Sequence, residues 1–174
     1  MDFVGAFRAD RLLRDIQICV VVTCYNEDAE ELRETLHGLA NNMEALEDLG
    51  ISWRQVQVCV IIDGLSKASE SMLVYLQDEL KIYDPALVRT QFHGSDVTMH
   101  LFEKTIQLSR HATQREYYLP LQLMLGLKAR NGGKLNTHLW FFSAICRQLR
   151  PEFVMVCTHT WWWCVRARSD TSVV

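Results

Sequence analysis

Two carboxylates stand in the same place relative to two apolar runs. Glu27 follows the run 18–22 through the turn Thr23, Cys24, Tyr25, Asn26, and Asp63 follows the run 58–62 directly, ahead of Gly64. Short apolar runs bounded by turn signals read as strands buried on both faces. In an open α/β sheet, ligands bind beyond the carboxyl ends of such strands. Thr23, Asn26, Glu27 and Asp63 are therefore expected at one sheet edge. Lys134 brings a cation there, because it follows the turn Asn131-Gly132-Gly133 and opens a helix. A carboxylate accepts hydrogen bonds from a base or a ribose, and an ammonium approaches a phosphate. Glycine ahead of the lysine keeps the backbone from crowding that approach. These types at this spacing suggest a nucleotide pocket. The plain alternatives are a solvated helix-start acid for Glu27, a turn-forming Asp63 and a surface Lys134.

Other chemistries find little support. His138 lies one turn after Lys134, yet a metal site needs partners at ligand spacing and the sequence offers none. A packed or hydrogen-bonded histidine is the reading for it. Cys157 and His159 are close, but their context reads as chance. No Ser/His/Asp or Cys/His nucleophile signature is present, and no Gly-rich phosphate loop of the GxGxxG or GxxxxGK[ST] kind. The six cysteines are scattered without a CxxC, which reads as reduced, mostly buried thiols in a cytosolic setting. A formal charge of -3 gives no reason to expect nucleic acid or an anionic membrane surface as partner. No secretory signal is visible, and no run approaches the roughly 18 apolar residues of a membrane span. A soluble chain, or the soluble part of something larger, is expected.

The elements that must position these residues follow from periodicity. Residues 1–15 form a lead-in. The clearest helix covers 28–49, with Leu32, Leu36, Leu39, Met43 and Leu46 on one face, acids at its start and Gly50 at its stop. A second strand covers 53–62. Ser66 is the expected N-cap of a helix to about Lys81. Residues 84–96 read as loop, 97–108 as extended, 110–118 as a polar connector and 119–127 as a strand. A helix over 134–149 places Leu135, Leu139, Phe142, Cys146 and Leu149 inward and ends at Pro151. Residues 153–156 begin a last strand. The alternation argues an α/β fold with a mostly parallel, Rossmann-type sheet. After Val156 the pattern breaks. Trp161, Trp162 and Trp163 fit neither a strand nor a helix period, and the last strand is expected to lack a partner on one side, leaving an aggregation-prone edge.

Four stretches carry a resemblance: TCYNE at 23–27, VIIDG at 60–64, HLFEKT at 100–105, and LPLQLMLGLKARNGGKLNTHLWFFSAICRQLRPE at 119–152. Together they resemble the chitin synthases, processive family 2 glycosyltransferases, over about 16–156. The most specific part is 122–151, where the KLN-[ST]-H pattern precedes WFF and a downstream proline. The resemblance implies a GT-A-like fold, incomplete in this chain, with UDP-N-acetylglucosamine as donor and a growing β-1,4-linked chitin chain as acceptor. It implies a divalent cation, Mg²⁺ or Mn²⁺, and a plasma-membrane enzyme whose catalytic domain is cytosolic. Carried over by motif, Thr23, Asn26 and Glu27 line the uridine site, Asp63 contacts the uridine and Lys134 the nucleotide end. Asn136 and His138 belong to the same motif.

The departures have consequences. The family's metal-associated Asp, in a pattern like DVGT, falls near Thr158, where this chain reads VMVCTHTWWW. The later EDR and QRRRW motifs and the membrane helices are absent. Residues 157–174 form a tail without counterpart, as a truncation, a frame change or a wrong gene model would leave, with a real divergent tail as the alternative. No catalytic residue and no metal ligand is assigned. The expectation is a donor-binding half that does not turn over alone. The alternatives are a non-catalytic binding module degenerate from that family, and a hyaluronan or cellulose synthase relative, against which KLN-[ST]-H stands.

Overall fold

Residues 7–110, 116–158 and 161–166 are described by the computed structural model of the chain. The lead-in forms one short helix, α1 (Arg8–Arg11), and the buried Phe7 and Ala9 tie it to the core. β1 (Ile18–Cys24) comes next and is almost wholly buried. Its β-branched run suits a strand covered on both faces. α2 (Ala29–Asp48) then crosses the sheet. Its N-cap is Asp28, whose side chain accepts the Glu30 and Glu31 N–H groups while Glu31 answers the Asp28 N–H. This capping box satisfies donors that the first turn leaves open. The helix stops where Gly50 takes φ +86°, a conformation other residues resist. β2 (Val56–Ile62) is buried at every position.

The next helix differs from the sequence reading at its start. Ser69, not Ser66, caps α3 (Glu70–Val74) by accepting the Met72 N–H, and Ser66 sits in a preceding 3₁₀ turn. A π-helical turn over 75–79 continues α3. A small exposed hairpin, β3 (Gln91–Phe92) with β4 (Ser95–Asp96), leads into β5 (Met99–Ile106). β6 (Leu121–Lys128) is buried throughout. α4 (Gly133–Trp140) passes through a π-helical segment at 141–146 into α5 (Arg147–Leu149). β7 (Phe153–Thr158) and β8 (Trp161–Arg166) close the described chain.

The main sheet has the order β5-β6-β2-β1-β7-β8. The inner strands β6, β2, β1 and β7 are parallel, and both outer strands are antiparallel. Alternate residues feed two cores. Val20, Val22, Val58, Val60, Leu123 and Leu125 face Leu32, Leu36 and Leu39 of α2 and Leu76. Val21, Cys59, Ile61 and Met124 face Phe141, Ile145 and Leu149 on the other side. The helices thus occupy opposite faces, as parallel strands require.

Two expectations are corrected here. Trp161–Trp163 were expected to fit no strand, yet they lie in β8, whose backbone pairs with β7 from Phe153–Arg166 to Thr158–Trp161. The far side of β7 is therefore paired rather than open. Side chains there, and residues 159, 160 and 167–174, lie outside the description. The second correction concerns the helix after Asn131. Leu135, Leu139 and Phe142 are exposed at 75 %, 54 % and 44 %, while Thr137, Phe141, Ala144 and Ile145 turn inward. The π-helical segment takes more residues per turn than an α-helix, so the 3.6-residue periodicity does not carry through it.

Candidate functional site

The carboxyl ends of β1, β2 and β6 meet at one edge of the sheet. Thr23 and Cys24 pair in register with Ile61 and Ile62. Ile62 in turn pairs with Leu127. The next residues along are Asp63 and Lys128, so their juxtaposition follows from register alone. The Asp63 N–H donates to the Cys24 carbonyl at 2.8 Å, which extends the β1–β2 pairing to the site.

Asp63 and Lys128 are its electrostatic centre. Lys128 Nζ donates to Asp63 Oδ1 at 2.5 Å, and their side chains are 3 % and 7 % exposed. The Gly132 N–H donates to the same oxygen at 3.0 Å. Lys128 Nζ also donates to Thr137 Oγ1 at 3.3 Å, joining α4 to the strand ends. Burial pushes the Asp63 carboxyl up, but the bonds from Lys128, Gly132 and Gly133 more than offset it, and its pKa lies below the ordinary carboxylate value. The pair requires a tight turn above it. Gly64 has φ +100°, and a Cβ there would stand 2.9 Å from the Asn131 backbone nitrogen. The Asn131 side chain accepts the Gly133 N–H at 2.7 Å and shapes the entry to α4.

The other expected residues are placed unevenly. Thr23 is half-buried near the end of β1, and Asn26 is exposed in the turn that follows. Glu27 folds back, and its carboxylate accepts the Tyr25 N–H. Its carbonyl accepts Ser69 Oγ at 2.8 Å, which fastens the turn to the start of α3. Lys134 is exposed in the first turn of α4, directly after the glycines that hold Asp63. The strand register and the Gly132 bond thus bring Thr23, Asp63 and Lys134 to one edge. Asn136 is half-buried and packs its side chain close over Gly132, where a Cβ would meet its Oδ1 at 2.7 Å. His138 is half-buried, and burial together with Lys134 lowers its pKa, so it is neutral at pH 7. Its Nε2 is enclosed and has no hydrogen-bond partner among the described residues.

Lys128 is the residue that sequence reasoning missed. The signal was present: a single lysine ends the mostly apolar LQLMLGL run, just as Asp63 ends its own. Opposite charges one residue beyond two paired strands mark a cross-strand ion pair.

A divalent cation needs carboxylate oxygens beside substrate phosphates. Among the described residues, no group of three or more His, Cys, Asp and Glu side chains could hold a metal ion. The one buried carboxylate at this edge is already matched by Lys128, and the sequence of β7 contains no acid. These residues do not fit a metal centre. No helix among the described residues is long and apolar enough to cross a membrane.

Comparison with known proteins agrees with the architecture. The sequence profile of the chitin synthase-like glycosyltransferase domain matches residues 18–159. Chitin synthase 1 of Mycosarcoma maydis is 30 % identical over 165 residues, covering 82 % of this chain and 18 % of that protein. Chitin synthase 1 of Phytophthora sojae is 31 % identical over 154 residues, covering 80 % of this chain and 16 % of that protein. The chain spans less than one fifth of the length of these relatives. With its mostly parallel sheet flanked by helices, a GT-A-like arrangement, the chain belongs to the chitin synthase-like glycosyltransferase domain family.

Proposed function

We propose that this chain is the donor-binding part of a chitin synthase, holding the UDP of UDP-N-acetylglucosamine at the edge formed by Thr23, Asn26, Glu27, Asp63 and Lys134. Asn136 and His138 support that edge from α4. The observation that carries the reading is the state of Asp63. It is buried, ionised and fixed by Lys128 and the Gly132 N–H on Oδ1, with the Gly133 N–H also favouring its charged form. A carboxylate held this way is a ready acceptor for a uracil N–H or a ribose hydroxyl. Lys134, exposed one turn away, supplies the charge that a diphosphate needs. In a complete enzyme of this kind the sugar passes to the end of a growing β-1,4-linked chitin chain, at a plasma membrane reached through segments other than these.

The chain itself is proposed to be catalytically silent. Transfer needs a base on the acceptor hydroxyl and cationic support for the leaving UDP. Asp170 is the only acid after Glu152 in the sequence, and Thr158 stands where the family's metal-associated Asp is expected. A second reading, a nucleotide-binding module without transferase activity, draws on the same ion pair, since Asp63 is engaged by Lys128 rather than free for a metal.

Calorimetry with UDP, UMP and ADP tests the donor reading. UDP is expected to bind more tightly than ADP. Asp63→Ala should weaken it by one charge-assisted hydrogen bond, about 1.5–3 kcal/mol. Equal affinity for ADP, or an unchanged Asp63→Ala variant, sinks the proposal. Incorporation of labelled N-acetylglucosamine into insoluble polymer separates enzyme from module. None is expected from this chain, nor from Thr158→Asp alone. Polymer above a Glu27→Ala and Asp63→Ala control would overturn the claim of silence.

A further inference from the structure

The sheet edge opposite the donor site carries cations that nucleotide binding does not use. The parallel strands β1, β2 and β6 begin there. The segment before β1 brings Arg14 to that edge, and the 3₁₀ turn Trp53–Gln55 before β2 brings Trp53 and Arg54. The guanidinium carbons of Arg14 and Arg54 lie 5.6 Å and 4.8 Å from the centre of the Trp53 ring. The face of an indole attracts a cation, and a planar guanidinium stacks on it. The buried Gln122, at the start of β6, ties the two segments together. Its Nε2 donates to the carbonyls of Trp53, Arg54 and Val56 at 3.2, 2.6 and 3.1 Å, and its Oε1 accepts Arg14 Nη1.

The charges of this cluster are not matched within the chain. Among the described residues, neither Arg14 nor Arg54 has a carboxylate at ion-pair distance. Glu47 stands beside the turn, but its Oε1 accepts Ser52 Oγ at 3.3 Å and the Trp53 N–H at 3.4 Å. Glu103 turns both oxygens to the Arg8 N–H, at 3.0 and 2.9 Å, and Asp10 accepts Gln148 Nε2 at 2.7 Å. Burial, and then the charges of Arg8 and Arg54, lower the Arg14 pKa. Folding therefore gathers like charges that repel one another, and an anion would relieve that repulsion. Arg54 is exposed, and Arg14 and Trp53 are half-buried, so the forks are presented on the surface. Each guanidinium fork matches one carboxylate through a pair of parallel bonds. An anionic membrane would meet the whole chain, whose formal charge is -3, whereas a peptide meets the cluster alone.

We propose that this edge is a docking surface for an acidic protein segment, whose Asp or Glu carboxylates pair with Arg14 and Arg54 across the Trp53 ring. The surface goes beyond the donor reading and does not depend on it, because Thr23 and Asp63 lie at the other ends of the same strands.

The probe is hexaglutamate, titrated at constant ionic strength against the ¹⁵N-labelled 174-residue chain, with hexaglutamine as control. The readouts are the Trp53 indole N–H, the Arg54 amide and the Gln122 side-chain amide. Saturable shifts centred on these groups are expected with hexaglutamate and not with hexaglutamine. Affinity should fall about tenfold or more in Arg14→Gln/Arg54→Gln, which removes two charge-assisted pairs. Arg54→Gln alone keeps the Arg14–Gln122 bond and should show a smaller loss, so the result does not hang on the fold of the double variant. Amides outside the edge verify that both variants are folded. Arg89→Gln removes an exposed arginine elsewhere and should leave the affinity unchanged. Absent shifts, an equal loss in Arg89→Gln, or parent affinity in both edge variants overturn the surface. Vesicles of equimolar phosphatidylserine and phosphatidylcholine form the membrane arm. Arg54-dependent sedimentation with them, without hexaglutamate shifts, would overturn the protein partner. Hexaglutamate binding should persist when UDP is saturating, and displacement by UDP would overturn the separation of the two edges. Failure of UDP to bind at all, with hexaglutamate shifts intact, would strike the donor reading and leave this one standing.

Discussion

Replacing Lys128 by methionine tests the centre of the site. The substitution keeps most of the volume and removes the charge. Asp63 would remain, 5 % exposed, with backbone N–H groups as its only strong partners. Breaking a buried pair by removing one member costs about 3–5 kcal/mol, because the other charge is left uncompensated. The pH dependence should also change sign. In the parent chain the native pKa of Asp63 is depressed. Its contribution is complete above the unfolded value of about 3.9 and is lost as pH falls through the native value. In Lys128→Met, burial dominates and raises the native pKa above the unfolded one. The native state then binds more protons across that window, so stability falls as pH rises through it. Urea unfolding at pH 7 and pH 5 reads both effects. The variant's deficit should shrink at pH 5, and the neutral double variant Asp63→Asn/Lys128→Met should recover much of the loss. A deficit under about 1 kcal/mol at pH 7, or a pH dependence parallel to the parent's, would show that the pair is not the buried charge couple described here.

Three further outcomes are expected. Gly64→Ala should cost about 1–3 kcal/mol and shift the amides of the Asn131–Gly133 turn, because it forces a Cβ onto the Asn131 backbone at φ +100°; an unaffected melt would refute the close approach. Leu36→Ala, at a fully buried position of α2, should cost about 2–5 kcal/mol in urea, whereas Leu135→Lys should stay within about 0.5 kcal/mol and improve solubility. A large loss for Leu135→Lys would return that face of α4 to the core. Asp28→Ala should lose about 1 kcal/mol with the capping box, read as a lower melting temperature, and an unchanged melt would show that the box adds nothing.

The parts legible in the sequence were those fixed by local pattern. Short, mostly apolar runs bounded by turn signals at the positions of β1, β2 and β6 read as buried strands, and the four-and-three spacing of Leu32, Leu36, Leu39 and Met43 leaves one helix face for them. Asp63 and Glu27 fell at the sheet edge because strand ends are where turns begin. What failed depended on events between elements. Ser66 and Ser69 are both competent caps, and the choice was made by the bond from Ser69 Oγ to the Glu27 carbonyl, across 42 positions. The face of α4 was misread because the π-helical segment shifts the phase between Leu139 and Ile145. The tryptophans of β8 gave no period because an edge strand paired on one side does not need one, and the backbone pairing with β7 sufficed. Lys128 was overlooked because a lysine after an apolar run looks like the end of a strand, until register sets it beside Asp63.

That pair also explains how an acid can serve beside a phosphate. Two negative charges about 4 Å apart repel by roughly 4 kcal/mol at an effective dielectric of 20. An unpaired Asp63 would therefore oppose a diphosphate held near Lys134. Lys128 cancels that field locally while leaving Asp63 an acceptor, since Nζ approaches only Oδ1. The same cancellation weakens the carboxylate as a metal ligand, because a cation would have to displace or tolerate the ammonium at 2.5 Å. Nucleotide recognition and metal binding thus make opposite demands on Asp63. On the proposed donor reading Asp63 serves the first, so a metal-supported transfer would have to draw its carboxylates from residues other than the one at the centre of this edge.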